Sequence, residues 1–343
     1  MAITDKEEGV WILNQVYNKQ MEGDIWSYTG ADAMFVWGEN DKGQLGQNDV
    51  VNQSSPTQIP GTTWSADPHQ NLGIDFTGAF KSDGTYWTWG LNTDGQLGHN
   101  NKTQYSSPVQ LPGTTWSNVS MGGDNGKSCI AVKTDGTLFC WGGNLHGQLG
   151  LNNKTDYSSP RQVGESNPDT WKIGSAGADY MLGVKTDGTL WSWGSNETGE
   201  MGINSSGDDR SSPVQIGSDT TWAPGYNKIA MSIPGAFAIK TDGTLWSWGN
   251  NTGGASGYLG LGDSASRSSP AQIPGSWNIV ACTDSSTWAI KTDGSLWSWG
   301  NGYNGRQGHN NDTQYNSPVQ VGSLTNYAEI GTSADSGHFL TQA

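Results

Sequence analysis

Residue types that perform catalysis or bind metal ions are few in this chain and are widely spaced. The five histidines, none of which stands at a metal-ligand spacing from another, are His69, His99, His146, His309 and His338. The three cysteines include no Cys-x-x-Cys pair and are too few for a disulfide framework. We therefore expect no enzyme activity, no bound metal and no cofactor.

Two of these histidines and two of the cysteines occupy positions that favour a structural role. His99 and His309 stand in the same Gly-His-Asn-Asn segment, ten residues after a tryptophan, which predicts a surface loop or cap. Cys129 and Cys140 lie on the two strands of one predicted hairpin, on a diagonal rather than directly opposite each other. We expect both thiols to be buried small side chains.

Asparagine and aspartate oxygens form another candidate site, because calcium prefers several such ligands. Loops such as Asn92-Thr-Asp-Gly could hold the ion. However, an asparagine recurs three residues after a tryptophan at Asn40, Asn92, Asn144, Asn196 and Asn251. A side chain that nearly every repeat requires is expected to cap its own turn. Calcium binding in these loops is the alternative.

The recurrence of these loops reflects an internal repeat. A Trp-Gly pair occurs six times, at intervals of 51 to 55 residues, at Trp37-Gly38, Trp89-Gly90, Trp141-Gly142, Trp193-Gly194, Trp248-Gly249 and Trp299-Gly300. A proline follows each pair after 19 to 22 residues, at Pro56, Pro108, Pro160, Pro213, Pro270 and Pro318. Two independent markers therefore give the same six units.

Each unit has the sequence signals of short antiparallel strands. An Asp-Gly pair precedes Trp-Gly at Asp83, Asp135, Asp187, Asp242 and Asp293. Asp-Gly predicts a two-residue hairpin turn in which both central residues have positive φ. Setting Thr186 opposite Thr189 then pairs Val184 with Trp191. One hairpin face would carry large side chains and the other small ones, so that large faces stack on small faces around a ring.

The two ends of the chain carry complementary halves of a unit. Residues 330–340 match the first half of a unit, and residues 31–38 match the second half. If the strand near Phe339 pairs with the strand at 34–37, a ring closes without free sheet edges. We predict an all-β fold, a six-bladed β-propeller of four-stranded antiparallel blades over residues 31–343, closed by its N- and C-terminal strands.

These units resemble the propeller repeats of the regulator of chromosome condensation family. The resemblance rests on segments such as Lys185-Thr-Asp-Gly-Thr-Leu-Trp-Ser-Trp-Gly and the trailing Ser-Ser-Pro-Val-Gln-Ile from Ser211. It implies a propeller, and six units depart from the seven blades of the best-known member. That member is a guanine-nucleotide exchange factor that docks on chromatin, whereas other members are secreted enzyme inhibitors or protein-binding modules.

Exchange activity is not expected to carry over from the family. It depends on a protruding wedge in one blade and on a basic extension for DNA. The one length excess in this chain is residues 250–267, which are rich in glycine and serine and predict a loop. Fold alone therefore leaves the function open.

The charge of the chain limits its expected partners. With 32 acidic and 17 basic residues the net charge is −15, and the lysines and arginines are scattered singly. Nucleic acids and anionic membranes are bound by clustered cations, so neither is an expected partner. The N-terminus lacks the basic start and apolar core of a secretory signal peptide.

Residues 1–30 lie outside the repeat and are predicted to form a separate segment. Thr4 and Glu7 have capping-box spacing. One face of the helix that follows would carry Val10, Leu13, Tyr17 and Met21. A short amphipathic helix over about residues 5–21 needs a surface to pack on. That surface is either this propeller or another protein.

The segment from Gly9 to Trp26 resembles a Gly-Val-Trp…Tyr…Trp stretch in structural and fibre proteins of tailed bacteriophages, marine ones especially. The matching positions are Gly9, Val10, Trp11, Tyr17 and Trp26. The resemblance implies a non-enzymatic virion component, a tail, fibre or capsid-surface protein made in the host cytoplasm. It would join other virion proteins through Val10, Trp11, Leu13, Tyr17, Met21 and Trp26.

The predicted role of such a propeller is attachment to a host-surface protein or glycan, and an oligomer is compatible with it. The alternative is a free protein-binding module, such as an inhibitor or scaffold. Candidate rim residues are Tyr105, Tyr157 and Tyr315, which occur in three of the six units. An exposed tyrosine offers a large contact area with a polar tip. The alternative is that these rings fill gaps between neighbouring blades.

Overall fold

The computed structural model is built of antiparallel strands and two single-turn 3-10 segments within the residues that it describes. These residues are 34–61, 63–65, 71–72, 75–122, 127–164, 170–231, 235–252, 257–283, 285–331 and 339–342. The helix predicted near residues 5–21 and the six anchoring residues lie outside them. No helix in these ranges is long and apolar enough to cross a membrane.

The strands are short and follow one another along the chain. In chain order they are β1 Phe35–Gly38, β2 Gln53–Gln58, β3 Asn71–Leu72, β4 Phe76–Phe80, β5 Tyr86–Gly90, β6 Tyr105–Gln110, β7 Trp116–Met121, β8 Ser128–Lys133, β9 Leu138–Gly142, β10 Tyr157–Gln162, β11 Trp171–Ala176, β12 Tyr180–Lys185, β13 Leu190–Gly194, β14 Arg210–Gln215, β15 Ile229–Met231, β16 Gly235–Ile239, β17 Leu245–Gly249, β18 Arg267–Ile273, β19 Trp277–Cys282, β20 Ser286–Lys291, β21 Leu296–Gly300, β22 Tyr315–Gln320, β23 Tyr327–Gly331 and β24 Phe339–Gln342. The 3-10 segments are Tyr226–Lys228 and Tyr303–Gly305.

Among the described residues the strands form five four-stranded sheets and two two-stranded sheets. Each four-stranded sheet is an antiparallel meander of consecutive strands, and we number these sheets as blades: blade 1 is β3–β6, blade 2 is β7–β10, blade 3 is β11–β14, blade 4 is β15–β18 and blade 5 is β19–β22. The first strand of each blade contacts the first strand of the next, from β3 onward to β23. This confirms the all-β prediction of four-stranded antiparallel blades arranged as in a propeller.

The two-stranded sheets lie at the two ends of the sequence. We call β1–β2 the N-terminal half-blade and β23–β24 the C-terminal half-blade. Strands β1 and β2 correspond to the third and fourth strands of a blade, because Phe35 pairs with Gln58 as Trp191 pairs with Gln215. Strands β23 and β24 correspond to the first and second strands. The halves are therefore complementary, as the sequence predicts.

The turn inside each blade differs from the prediction. In blade 3 the Lys185 amide donates to the Thr189 carbonyl at 3.0 Å, and the Gly188 amide donates to the Lys185 carbonyl at 3.0 Å. Gly188 has a φ of 79°, whereas Asp187 is not among the residues with positive φ. The hairpin loop therefore has three residues, and the predicted two-residue turn with Thr186 opposite Thr189 is wrong. The Asp187 carboxylate stabilises the longer loop by accepting from the Thr189 amide at 2.9 Å.

The longer turn shifts the strand register by one residue, which moves side chains to the opposite face. Gly183 pairs with Trp191, and Val184 pairs with Leu190 rather than with Trp191. Tryptophans therefore share one face of the hairpin and aliphatic side chains the other. Unlike faces still stack between blades. The tryptophan face of blade 3 packs on the aliphatic face of blade 2 in a buried cluster that includes Ile130, Val132, Leu138, Cys140, Trp171, Met181 and Trp193.

Cys129 and Cys140 are free and buried, as the sequence predicts. Cys129 pairs with Trp141 and Ile130 pairs with Cys140, so the two thiols point to opposite faces of blade 2, and the predicted diagonal placement is wrong because the register is shifted by one residue. Burial raises the pKa of both thiols. A buried thiol with a raised pKa is a weak nucleophile, and both side chains act as apolar packing.

Candidate functional site

A tightly held loop follows the third strand of each blade. We call the residues from the glycine after the tryptophan to the glycine eight positions later, or eleven positions later in blade 4, the Trp-Gly loop, for example residues 90–98 in blade 1. The buried Asn92 side chain donates to the carbonyls of Asn101 at 3.1 Å and Thr103 at 2.8 Å, and it accepts from the Leu97 amide at 3.0 Å. The recurring asparagine is thus a cap that joins both ends of its loop, as expected. Among the described residues no group of three or more His, Cys, Asp or Glu side chains could hold a metal.

Five of the six Trp-Gly loops also dock on the next blade in the described part of the chain. The Trp141 indole of blade 2 donates to the Gln96 carbonyl in the loop of blade 1 at 2.9 Å, and the Asn100 amide donates to the Ser158 carbonyl at 2.6 Å. A Cβ added at Gly95 would lie 2.5 Å from the Ser158 Cα, so only glycine fits there. The same indole bond occurs five times, from Trp89 to Gln44, Trp141 to Gln96, Trp193 to Gln148, Trp248 to Glu200 and Trp299 to Tyr258.

The tips of these rigid loops differ from unit to unit. We call the fourth and fifth residues after the tryptophan the tip positions, and where described they are Asp41-Lys42, Thr93-Asp94, Leu145-His146, Glu197-Thr198, Thr252 and Tyr303-Asn304. The fourth position is exposed in all six units. A repeated scaffold that carries changing exposed residues is typical of a binding surface rather than of a packing requirement.

The Trp-Gly loops share one side of the sheets with the segments that connect first and second strands. The Gly143 amide, for instance, donates to the Lys127 carbonyl at 2.9 Å. We call this side the loop face. Seven large hydrophobic side chains are exposed in the described part of the chain, and five lie on this side, namely Trp37, Val50, Val51, Leu145 and Tyr303. Leu145 is 74% exposed and Tyr303 is 65% exposed. The four of these that lie on loops, Val50, Val51, Leu145 and Tyr303, are concentrated on one face and mark an interaction surface.

Charged groups on the loop face are arranged as small mixed clusters. Asp209 lies 3.1 Å from the His146 ring and 3.0 Å from the Lys154 ammonium. Burial raises the pKa of the Asp179 carboxyl, and the neighbouring His146 opposes this rise. The mixture of signs beside exposed apolar tips suits contact with a protein surface better than with a polyanion.

The predicted rim tyrosines lie on the fourth strands and are partly buried. The Tyr105 hydroxyl accepts from the Asn101 side chain at 3.1 Å, and its ring meets the His99 ring edge-on with centroids 5.5 Å apart. Tyr157 packs against the core cluster of blades 2 and 3, and Tyr315 against that of blades 4 and 5. These contacts favour the alternative in which the rings fill gaps between blades. A role in binding remains a proposal for all three.

Each blade places a lysine between aromatic rings, a contact that sequence reasoning missed. Five such lysines lie over two rings each, Lys81, Lys133, Lys185, Lys240 and Lys291. The Lys291 Nζ lies 3.6 Å from the Trp297 centroid and 5.1 Å from the Trp277 centroid. The signal was the lysine that precedes each Asp-Gly turn. These cation–π contacts stabilise the blade end opposite the loop face.

The repeats identify the family. The model of the Regulator of chromosome condensation (RCC1) repeat matches residues 32–65, 83–125, 135–182, 187–224 and 293–341, which together are more than half of the chain. The chain belongs to the RCC1 repeat family. A second model of this repeat matches residues 172–200.

RCC1-repeat relatives include longer proteins of different function. The chain is 30% identical over 305 residues to the ultraviolet-B receptor UVR8 of Arabidopsis thaliana. The aligned region covers 84% of this chain and 66% of the receptor. The chain is 26% identical over 337 residues to the E3 ubiquitin-protein ligase HERC2 of Homo sapiens. This aligned region covers 95% of this chain and 7% of the ligase. The chain therefore spans less than two thirds of either relative.

Solved RCC1-repeat structures share the fold. Prp20p of Saccharomyces cerevisiae superposes with a TM-score of 0.70 at 21% identity, over 85% of this chain and 73% of Prp20p. Human WBSCR16 superposes with a TM-score of 0.69 at 18% identity, over 86% of this chain and 78% of that structure. At these identities the likeness establishes the propeller fold and leaves the binding partners to be argued from the loop face.

Proposed function

We propose that this chain is a protein-binding propeller that recognises its partner through the loop face. The observation that carries the proposal is the contrast within each Trp-Gly loop. The asparagine and the glycines repeat and fix the loop, while the exposed tip residues change from unit to unit. Leu145 and Tyr303 offer apolar contact beside charged neighbours, the composition of a protein interface.

The relatives support binding as the general role. The structure of Prp20p is described with its binding properties to Gsp1p and histones, and yeast RCC1 (Prp20) has been solved bound to Kap60. Those partners belong to those proteins. This chain has its own tip residues and a net charge of −15. We therefore expect its own loop face to determine which partner it binds.

Capture of proteins from a lysate of the source cells, with matched variants, tests the proposal. Leu145→Asp changes an exposed tip to a residue type that Asp41 and Glu197 already provide at the same position, so folding should be unaffected. Thr134→Asp changes an exposed residue in the hairpin of the same blade, at the end opposite the loop face. We expect the wild type and Thr134→Asp to retain a stoichiometric partner that Leu145→Asp loses. Equal capture by all three proteins would contradict the proposal.

A finer proposal is that the propeller is displayed on a bacteriophage particle, as a tail, fibre or capsid-surface protein that contacts a host-surface protein or glycan. The resemblance of residues 9–26 to phage structural proteins supports it. Mass spectrometry of purified particles should then detect the chain, and deletion of residues 1–30 should leave a folded propeller that no longer joins particles. Unimpaired incorporation of the deletion variant would contradict anchoring, and absence from particles would favour the free binding module.

We also propose that the two half-blades form one composite blade. The C-terminal half-blade would supply the first two strands and the N-terminal half-blade the last two. Aligning the half-blades with blade 3 sets Phe339 opposite Val36 and Leu340 opposite Phe35, because Leu182 pairs with Ser192 and Gly183 with Trp191. Such pairing leaves no free sheet edge, which lowers the tendency to aggregate.

A further inference from the structure

The contact that joins consecutive blades occurs five times in the described residues with the same geometry. A tryptophan at the end of the third strand is fully buried, and its indole donates to a backbone carbonyl of the preceding loop at 2.8 or 2.9 Å. A glycine two residues beyond that carbonyl makes room for the ring. At Gly150 an added Cβ would lie 2.8 Å from the Trp193 Nε1.

The sixth tryptophan is exposed. Trp37 ends β1 as Trp193 ends β13, but it is 50% exposed where its five counterparts are 0% exposed. The corresponding carbonyl is that of Arg306, seven residues after Trp299 as Gln148 is seven residues after Trp141. Among the described residues no donor reaches the Arg306 carbonyl, and no acceptor reaches the Trp37 indole.

The loop of blade 5 also keeps the two glycines that the contact requires. Gly305 corresponds to Gly147, where an added Cβ would lie 2.6 Å from the Ser211 Cα. A Cβ added at Gly305, in contrast, would meet nothing within 4 Å in the described structure. Gly308 corresponds to Gly150, and a Cβ there would meet Val321 at 3.3 Å and no tryptophan. This loop has the shape of the other docking loops, and no blade lies against it among the residues that the structure describes.

We propose that Trp37 is the closing residue of the propeller. Its indole docks on the loop of blade 5, donates to the Arg306 carbonyl and packs over Gly308. By the same correspondence the Asn310 amide donates to the Ser54 carbonyl, as the Asn152 amide donates to the Ser211 carbonyl at 2.6 Å. Asn310 has a φ of 58° and Asn152 a φ of 58°, so this loop already holds the conformation of the docked one.

The occupant of this loop is the N-terminal half-blade of the same chain. Each docked blade presents an indole and, 17 to 20 residues later, a backbone carbonyl, as Trp37 and Ser54 do. The part of the chain that the structure describes carries one unmatched loop and one unmatched half-blade of this kind. This inference rests on the composite blade proposed above and adds to it the side chain that fixes the two ends of the sequence together.

Hydrogen exchange of the indole N–H groups tests the inference. The full chain, labelled with ¹⁵N-tryptophan, would be compared with Trp37→Phe and Trp193→Phe, and the signal missing from each variant assigns that indole. We expect the Trp37 indole to be protected to within about tenfold of the Trp193 indole. Exchange at the rate of a free indole would overturn the inference.

Two further measurements on the same sample separate the possible outcomes. Amide protection of β1 reports the composite blade, so a protected β1 with an unprotected Trp37 indole would refute the closing contact alone. Sedimentation at several concentrations reports whether a second copy supplies the blade. Protection of Trp37 in a monomer supports the inference, whereas protection that appears only with dimer formation would overturn it in favour of exchanged half-blades.

Discussion

The Trp193 indole donates a 2.8 Å hydrogen bond to the backbone carbonyl of Gln148, 45 residues earlier in the chain. Trp193 belongs to blade 3 and Gln148 to the Trp-Gly loop of blade 2, so a single bond joins the core of one blade to the loop of its neighbour. Loop position therefore depends on blade packing. This coupling explains how residues remote from the tips hold the loop face in place.

We expect Trp193→Phe to destabilise the fold by about 2–4 kcal/mol, because it leaves the Gln148 carbonyl unpaired and a cavity beside it. Trp191→Phe is the matched control. The Trp191 indole donates to the Thr189 hydroxyl and the ring is partly exposed, so its loss should cost about 0.5–1.5 kcal/mol. Urea unfolding measures both free energies. Equal losses would argue against the interblade bond as the stronger contact.

The turn aspartates should make stability fall in acid. Hydrogen bonds from Thr189 lower the pKa of Asp187 below 3.8, and equivalent bonds lower the pKa of Asp83, Asp135, Asp242 and Asp293. A folded-state pKa below the unfolded value means that the stabilisation is complete above about pH 4 and is lost as the pH falls through the lowered pKa. Melting curves between pH 5 and pH 2 should show this loss. Asp187→Asn, which keeps an oxygen acceptor, should reduce the slope, and an unchanged slope would count against the turn bonds.

His99 should make the stability of the fold depend on pH near neutrality as well. Burial lowers the pKa of His99 below 6.5, although a hydrogen bond with the Thr88 backbone opposes this shift. The neutral ring therefore stabilises the fold above about pH 6.5, and this contribution is lost as the pH falls through the lowered pKa. Blade 2 has Leu151 at the equivalent position, so His99→Leu should fold and lose this part of the pH dependence. Melting temperatures at pH 7.5 and 5.5 provide the comparison; a difference that persists in His99→Leu would point to another group.

Lys240 should control the ionisation of Asp219. The Lys240 ammonium donates to this carboxylate and, together with Thr221, lowers its pKa to about 2. Lys240→Met should raise the pKa of Asp219 toward 3.8, whereas Lys291→Met, which changes the equivalent lysine of blade 5, should leave it near 2. Carboxyl ¹³C titration measures both. An Asp219 that titrates near 2 in Lys240→Met would refute the pairing.

Much of the fold follows from the sequence because repeats report their own period. The Trp-Gly pairs, the capping asparagines and the complementary ends predict the blades that the structure shows. The predicted hairpin register is wrong because an Asp-Gly pair is compatible with two turn lengths. Asp187 decides between them by bonding to the Thr189 amide, a contact that composition does not reveal.

The loop face was harder to predict than the blades. The residue types of Leu145 and Tyr303 do not by themselves indicate a binding site. They indicate one because both side chains are exposed at positions where other units carry polar residues. Tyr105 is a binding candidate because it is optional among units, and its hydroxyl bond to Asn101 and its packing on His99 favour the alternative of a packing role. Optional residues can serve packing as well as binding.

The most direct test of the account is a calorimetric titration of the captured partner, once purified, against four proteins. These are the wild type, Leu145→Asp, Tyr303→Asp and Thr134→Asp. We expect at least one tip variant to weaken the Kd tenfold or more, about 1.4 kcal/mol, while Thr134→Asp binds as the wild type does. Wild-type affinity in both tip variants together with weakened binding by Thr134→Asp would contradict recognition through the loop face.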